Sequence, residues 1–375
     1  MIYFDNAATS RTKPEVVYEA YNFYLREIGT SPGRGSYTLA IQASRMLYQA
    51  RKNIASFFNI ADPSNVIFTK NSTEAINLFF YGFLKQDSHV LISPYEHNAV
   101  LRPLQNLKNN GIIDYTVLPE DVIYNSSLLK NYVRSNTKVI ALTLASNLTG
   151  QIVFSSQLAE EAKKYGITVF VDSSQGAGKK LVDIDRDKVD FLAFTGHKDL
   201  YAVPGVGGLV GRESFRINPL IQGGTGIHGE SYVNPDAYPD SYEAGTLNMP
   251  AIWSLKTSIE YIEKNINEII SKENFLTDYF ISKLSQISNV IIYNLNKKRV
   301  STFSFNVIGI KSSDVVSFLS KKDICVRGGI HCAIKAHETI NTVKTGAVRV
   351  SLNYLNTIQE IDTFISAVKE LTECI

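Results

Sequence analysis

Short apolar runs alternate with amphipathic stretches through the first two thirds of the chain. Residues 65–69 (NVIFT), 89–93 (HVLIS), 138–142 (KVIAL), 168–171 (TVFV), 190–194 (DFLAF) and 206–210 predict strands. Residues 73–84, 99–108 and 155–165 predict the helices between them. The strand runs are continuously apolar, with no polar alternation, so both faces are expected to be covered. Strand–helix alternation of this kind predicts an α/β domain built on a mostly parallel sheet with helices outside.

After about residue 250 the pattern changes. Residues 252–270 and 275–284 predict two helices, 290–293 and 302–307 strands, and 312–319 and 359–371 helices, together a smaller α+β lobe. The Gly-, Pro- and Asn-rich stretch 223–248 separates the two patterns and predicts a long functional loop. The expected division is a large domain at 15–248, with 1–14 and 249–375 forming the small lobe.

The chain has 375 residues, enough for a large core. Its formal net charge of +2, with no dense Lys/Arg run, asks for neither nucleic acid nor an anionic surface. No apolar run approaches the roughly 20 residues that span a bilayer. The start, MIYFDNAATS, lacks a basic segment followed by an apolar one and predicts no leader. Three cysteines, Cys325, Cys332 and Cys374, form neither a disulfide framework nor a zinc motif and suit a reducing cytoplasm. Cys325, inside the apolar run DICV, reads as core, and Cys374 as a tail thiol.

Candidate chemistry gathers just beyond the predicted strands, where open α/β sheets bind ligands. Lys198, in Thr195-Gly196-His197-Lys198, follows DFLAF and is placed to form a Schiff base. Asp172 follows TVFV, 26 residues earlier (198 − 172), and is placed to hold a protonated pyridine nitrogen. Ser72 and Thr73, in Asn71-Ser72-Thr73-Glu74, open a helix and offer a phosphate site. His97, after HVLIS, is placed to stack on a ring, and Asn147, after KVIAL, to donate to a ring hydroxyl.

With these motifs in order, the sequence resembles the class V aminotransferase group of pyridoxal 5'-phosphate (PLP) enzymes of fold type I, and within it the cysteine desulfurases. Carrying segments are YFDNAAT, NSTEAIN, YEHNA, ASNLTG, DSSQ, TGHK, EAGT, RGGIHCA and RVSLNYLNT. The resemblance implies a large domain with a seven-stranded, mostly parallel sheet and a smaller C-terminal domain. Lys198 would hold PLP and move the substrate's α-proton. Asp172 would pair with the ring nitrogen, Gln175 and Asn147 would face the ring hydroxyl, and His97 would stack on the ring. Ser72, Thr73, Thr195 and His197 would bind the phosphate. Thr246 would reach the cofactor of a second subunit, implying a homodimer. Arg349 would clamp the substrate carboxylate, with Asn147 and Arg327 near the substrate.

The resemblance assigns Cys332 the attack on the substrate's sulfur, on a mobile loop of the shorter type also found among selenocysteine lyases. His331 and Arg327 would favour its thiolate. The segment Ser31–Ser36 departs from the group's pattern in placing Gly33 where relatives tend to carry histidine, and residues 334–346 are polar and longer. The expected reaction converts L-cysteine to L-alanine, passing sulfur to Cys332 and then to a protein acceptor. L-selenocysteine lysis, another class V reaction such as transamination or epimerisation, and a non-catalytic scaffold stand as alternatives.

Overall fold

The computed structural model describes residues 1–33, 35–227 and 229–373. Arg34, within the departing segment, and the expected tail thiol Cys374 lie outside them.

Strand β1 is Ile2–Tyr3. The large sheet follows with β2 (Val66–Thr69), β3 (Ser88–Ile92), β4 (Ile113–Val117), β5 (Thr137–Thr143), β6 (Thr168–Asp172), β7 (Phe191–Thr195) and β8 (Gly207–Gly211). Its order is β2-β8-β7-β6-β5-β3-β4. Strand β8 runs antiparallel to both neighbours, whereas the β7-β6-β5-β3-β4 pairings are parallel. Eleven residues (196–206) join β7 to β8, too few for the crossover a parallel return needs.

Both faces of this sheet are buried, as the unalternated apolar runs require. Along β6, Val169 and Val171 enter one core and Phe170 the other. On β7, Leu192 and Phe194 join the first core, Phe191 and Ala193 the second.

The small lobe adds β9 (Val290–Ile292), β10 (Thr302–Val307), β11 (Ile324–Cys325), β12 (Arg327–Gly329) and β13 (Ala347–Ser351). Four of these form an antiparallel sheet, β12-β13-β10-β9, and β1 pairs in parallel with β11. The lobe has a core of its own around Phe4, Phe280, Phe303, Phe305 and Phe364. Cys325, expected in the core, is only partly buried.

Where two helices were expected, one 36-residue helix, Met249–Leu284, runs through. The polar stretch Ser271–Asn274 holds no Gly or Pro to stop it. Its first part packs in the large-domain core through Ile252, Leu255, Ile259 and Ile262, and its last part in the small-lobe core through Leu276, Phe280 and Leu284. Glu273, at the apparent break, is buried because Lys179 pairs with it at 3.1 Å, Ser301 donates to it at 2.6 Å and Tyr201 at 3.0 Å. Residues 223–227 and 229–248 are irregular apart from one short helical turn, Asp240–Tyr242. No helix among the described residues is long and apolar enough to cross a membrane.

Candidate active site

The carboxyl ends of β3, β5, β6 and β7 meet the first turn of helix Ser72–Phe83 around a cavity of about 220 Å³. Ser72, Thr73, His97, Asn147, Asp172, Gln175, Thr195, His197 and Lys198 all line it, as do Asn71, Thr143 and Ser174. Nine residues selected from separate motifs thus reach one space because four neighbouring strands end there and one helix begins there.

Asp172 closes β6 and is buried. Its Oδ1 accepts from the Ser174 amide at 2.9 Å and the Ser174 hydroxyl at 2.5 Å. Burial pushes this carboxyl up, and Ser174 and Lys198 oppose the rise. Burial pulls the Lys198 ammonium down, with Asp172 opposing and Arg349 adding to the fall. A lysine in that condition is readier to act as a free amine. The next residue, Asp199, accepts the Gly176 amide at 2.5 Å and pairs with buried Lys179 at 3.0 Å. One carboxylate thereby fixes the turn after Gln175 and the segment carrying Lys198.

His97 caps helix Asn98–Asn109, its Nδ1 accepting from the Ala99 amide at 3.0 Å. Burial holds His97 neutral, at about 3, with Lys198 adding to the fall. Burial likewise lowers His197 to about 4.

Cys332 occupies the turn between β12 and helix Ile334–Thr339, in the loop that the resemblance implies is mobile. Two hydrogen bonds dock this turn on the cavity wall. Asn147 Nδ2 donates to the His331 carbonyl at 2.7 Å, and the Asn98 amide donates to the Cys332 carbonyl at 2.8 Å. His331 and Cys332 both have left-handed backbone, φ 54° and 56°, a conformation that costs non-glycine residues roughly 1–2 kcal/mol each. The docking contacts are what offset that cost.

The structure bears on three expectations and corrects one, the part of His331 in favouring the thiolate. Asn147 gives one Nδ2 hydrogen to the His331 carbonyl and leaves Oδ1 without a partner, so the side chain brings an acceptor to the cavity beside the expected donor. His331 is held neutral at about 3 by burial, with Arg349 contributing; an uncharged ring supplies no cation to favour a thiolate. Arg327 is exposed, and neither it nor Cys332 nor Arg349 lines the Lys198 cavity.

Arg349 on β13 lies behind the docked turn and is 1% exposed. Its Nη1 donates to the Asn147 carbonyl at 3.0 Å and its Nη2 pairs with Asp5 at 2.5 Å, while Nε has no partner. Thr246 faces a separate apolar groove with Thr69, Leu220 and Ile221, away from Lys198.

The family model described as aminotransferase class-V matches residues 2–364. The chain belongs to this family. A probable cysteine desulfurase of Pyrococcus abyssi is 33% identical over 388 residues, covering 100% of this chain and 94% of that protein. One from Borreliella burgdorferi is 31% identical, covering 99% of this chain and 92% of its own length. The apo structure of a cysteine desulfurase from Thermococcus onnurineus NA1 aligns over 100% of this chain and 95% of that one, with TM-score 0.90 and 30% identity.

Sequence reasoning passed over one buried acid beside the site. Glu96, inside the YEHNA motif, is fully buried. Its Oε1 accepts from Ser93 at 2.5 Å and the Thr143 amide at 2.7 Å, and its Oε2 has no partner. Burial pushes it up to about 8. An acid between an apolar strand and a cavity histidine was the available signal.

Proposed function

We propose that this chain is a PLP-dependent cysteine desulfurase that converts L-cysteine to L-alanine and keeps the sulfur as a persulfide on Cys332. The reading rests chiefly on one observation: Lys198 and Asp172, at the ends of adjacent parallel strands, share one cavity on whose wall the Cys332 turn is docked.

The residues present fit PLP. Two buried polar atoms at the cavity, Thr195 Oγ1 and Asn147 Oδ1, lack partners, which buried polar groups rarely do. Thr195 stands with Ser72, Thr73 and His197 where a helix start favours an anion. Asp172 is the acceptor for a protonated ring nitrogen, and neutral His97 is available to cover the ring face. When bound, PLP supplies an amine-reactive aldehyde and a sink for the electron pair released at the substrate's Cα.

Lys198 Nζ takes the α-proton and returns a proton to carbon. Arg349 offers the unpartnered Nε edge of a guanidinium already oriented by Asp5 and the Asn147 carbonyl to the substrate carboxylate. Cys332 Sγ attacks the substrate's sulfur, forming an S–S bond as the C–S bond breaks. The bonding pair stays on carbon, which is protonated and leaves as alanine. The partly buried position of Cys332 limits water at the persulfide.

We also propose a homodimer in the cytoplasm, with Thr246 serving the second subunit's cofactor and a protein accepting the sulfur. Exposed Tyr18, Phe23, Leu25, Tyr37 and Tyr48 support a covered face.

Alanine formation from L-cysteine and from L-selenocysteine, with a thiol reductant, tests the reading. Wild type is expected to release alanine from cysteine and Cys332→Ala to lose most of it. Reaction with selenocysteine alone, or an unimpaired Cys332→Ala, would overturn it.

A further inference from the structure

The Cys332 turn is gripped from two sides. The large domain holds its carbonyls through Asn147 and Asn98. On the other side lies a buried pair of histidines. His331 and His337 are 4% and 0% exposed, and their rings lie parallel within 8° with centroids 5.7 Å apart. His331 Nε2 is 3.1 Å from the Arg327 carbonyl, and His331 Nδ1 is 3.5 Å from His337 Nε2. His337 Nδ1 is 2.6 Å from Thr342 Oγ1.

The carbonyl at one end sets the direction of this chain at His331. A carbonyl can only accept, so His331 Nε2 carries the hydrogen and Nδ1 of the neutral ring accepts. A hydrogen on His337 Nε2 completes the chain, and His337 Nδ1 then accepts from the Thr342 hydroxyl. Burial keeps His337 on the neutral side, against the pull of backbone carbonyls at Thr342 and Ile330 that favour a protonated ring. The backbone supports the same arrangement: His337 donates its amide to Ala333 at 3.1 Å, and Thr342 donates to His337 at 2.9 Å.

We propose that His337 is a positioning residue for the Cys332 thiol, acting through the His331 ring. His337 does not line the cavity that holds Lys198. It anchors the ring of the residue whose carbonyl Asn147 holds, so both ends of His331 are fixed and the next residue, Cys332, keeps its left-handed backbone. The helix Ile334–Thr339, in the departing stretch of sequence, serves to carry this anchor.

The inference rests on the desulfurase reading only for its kinetic arm. The test uses the PLP-loaded enzyme and the variants His337→Leu, His337→Gln and His337→Asn. The first readout is the rate of Cys332 alkylation by iodoacetamide, followed on its peptide by mass spectrometry with Cys325 as internal control. Loss of one buried hydrogen bond corresponds to about a five-fold effect. His337→Leu is therefore expected to speed Cys332 alkylation about five-fold without changing Cys325. It should lower kcat for alanine by a similar factor with KM for cysteine nearly unchanged.

His337→Gln, whose amide can still donate to His331, should recover most of both effects. His337→Asn, too short to reach, should behave as the leucine variant and carries the test if the latter does not fold. Wild-type alkylation and kcat in His337→Leu or His337→Asn would overturn the proposal. So would a glutamine variant no better than asparagine. If wild type makes no alanine but the leucine variant still speeds alkylation, the desulfurase reading fails and the anchoring role stands.

Discussion

The cavity around Lys198 and the turn carrying Cys332 are built on opposite principles. The cavity is assembled by strand ends and a helix start, so the packed sheet places its side chains. The turn is short, carries two left-handed non-glycine residues, and is placed by hydrogen bonds that cross from one lobe to the other. The first region gains its precision from burial over a whole domain. The second depends on a few contacts, each worth little alone, and can be loosened one contact at a time.

The largest expected effect belongs to the cavity. Lys198→Ala removes the proton-transfer group and should cut alanine formation by roughly 10²–10⁴-fold. Cys332 alkylation should be unchanged, because Lys198 holds no part of the turn. A matched change in both would break the comparison.

Next comes the contact that ties the regions together. Lys179 is buried between Asp199, beside Lys198, and Glu273, whose partner Ser301 belongs to the small lobe. Lys179→Met leaves two buried acids without their cation, and should cost about 3–5 kcal/mol in denaturant unfolding. A loss under about 1 kcal/mol would show that the lobes are joined elsewhere.

Asn147→Ala should be milder. It leaves the His331 carbonyl unpaired, at about 1–3 kcal/mol, and should speed Cys332 alkylation while Lys198 remains able to hold PLP. Unaltered alkylation would mean that Asn98 alone suffices to dock the turn.

Stability should depend on pH from both sides. His89 and His197, at about 4, and His97 and His331, at about 3, are all lowered chiefly by burial. The unfolded chain binds protons that these folded sites refuse, so stability should fall as pH drops from about 6.5 towards 3. Glu96 works in the opposite sense. Raised to about 8, its contribution is complete below about 4.5 and is lost as pH climbs through 8. Glu96→Gln should keep the acceptor bonds from Ser93 and Thr143 and flatten the alkaline limb alone. An unchanged alkaline limb in denaturant titrations would remove Glu96 from the account.

The smallest effect is expected at the partly exposed Lys335–Glu338 pair, on the helix that carries His337. Glu338→Gln should shift stability by under about 0.5 kcal/mol and leave the turn alone.

The same contrast explains what could be read from the sequence. Lys198, Asp172, Thr195 and Asn147 follow apolar runs that announce strands, and each motif sits where a parallel sheet opens. The sheet's extent was legible for the same reason, although β4, with a half-polar sequence (IDYTV), was not. The continuous helix Met249–Leu284 was missed because Glu273 reads as a surface acid until Lys179, 94 residues away (273 − 179), is brought beside it. The Cys332 turn was legible only as a motif. Nothing local says that Asn147 gives its amide to His331, that His331 is neutral, or that His337 lies against it, because all three depend on contacts across the fold.

The most direct test of the cavity and turn acting together is a single turnover. PLP-loaded enzyme is mixed with L-cysteine without reductant, quenched, digested and weighed peptide by peptide. The account predicts one added sulfur on the Cys332 peptide, in step with alanine and absent in Lys198→Ala. Alanine without sulfur on Cys332, or sulfur carried by Cys325 instead, would contradict it.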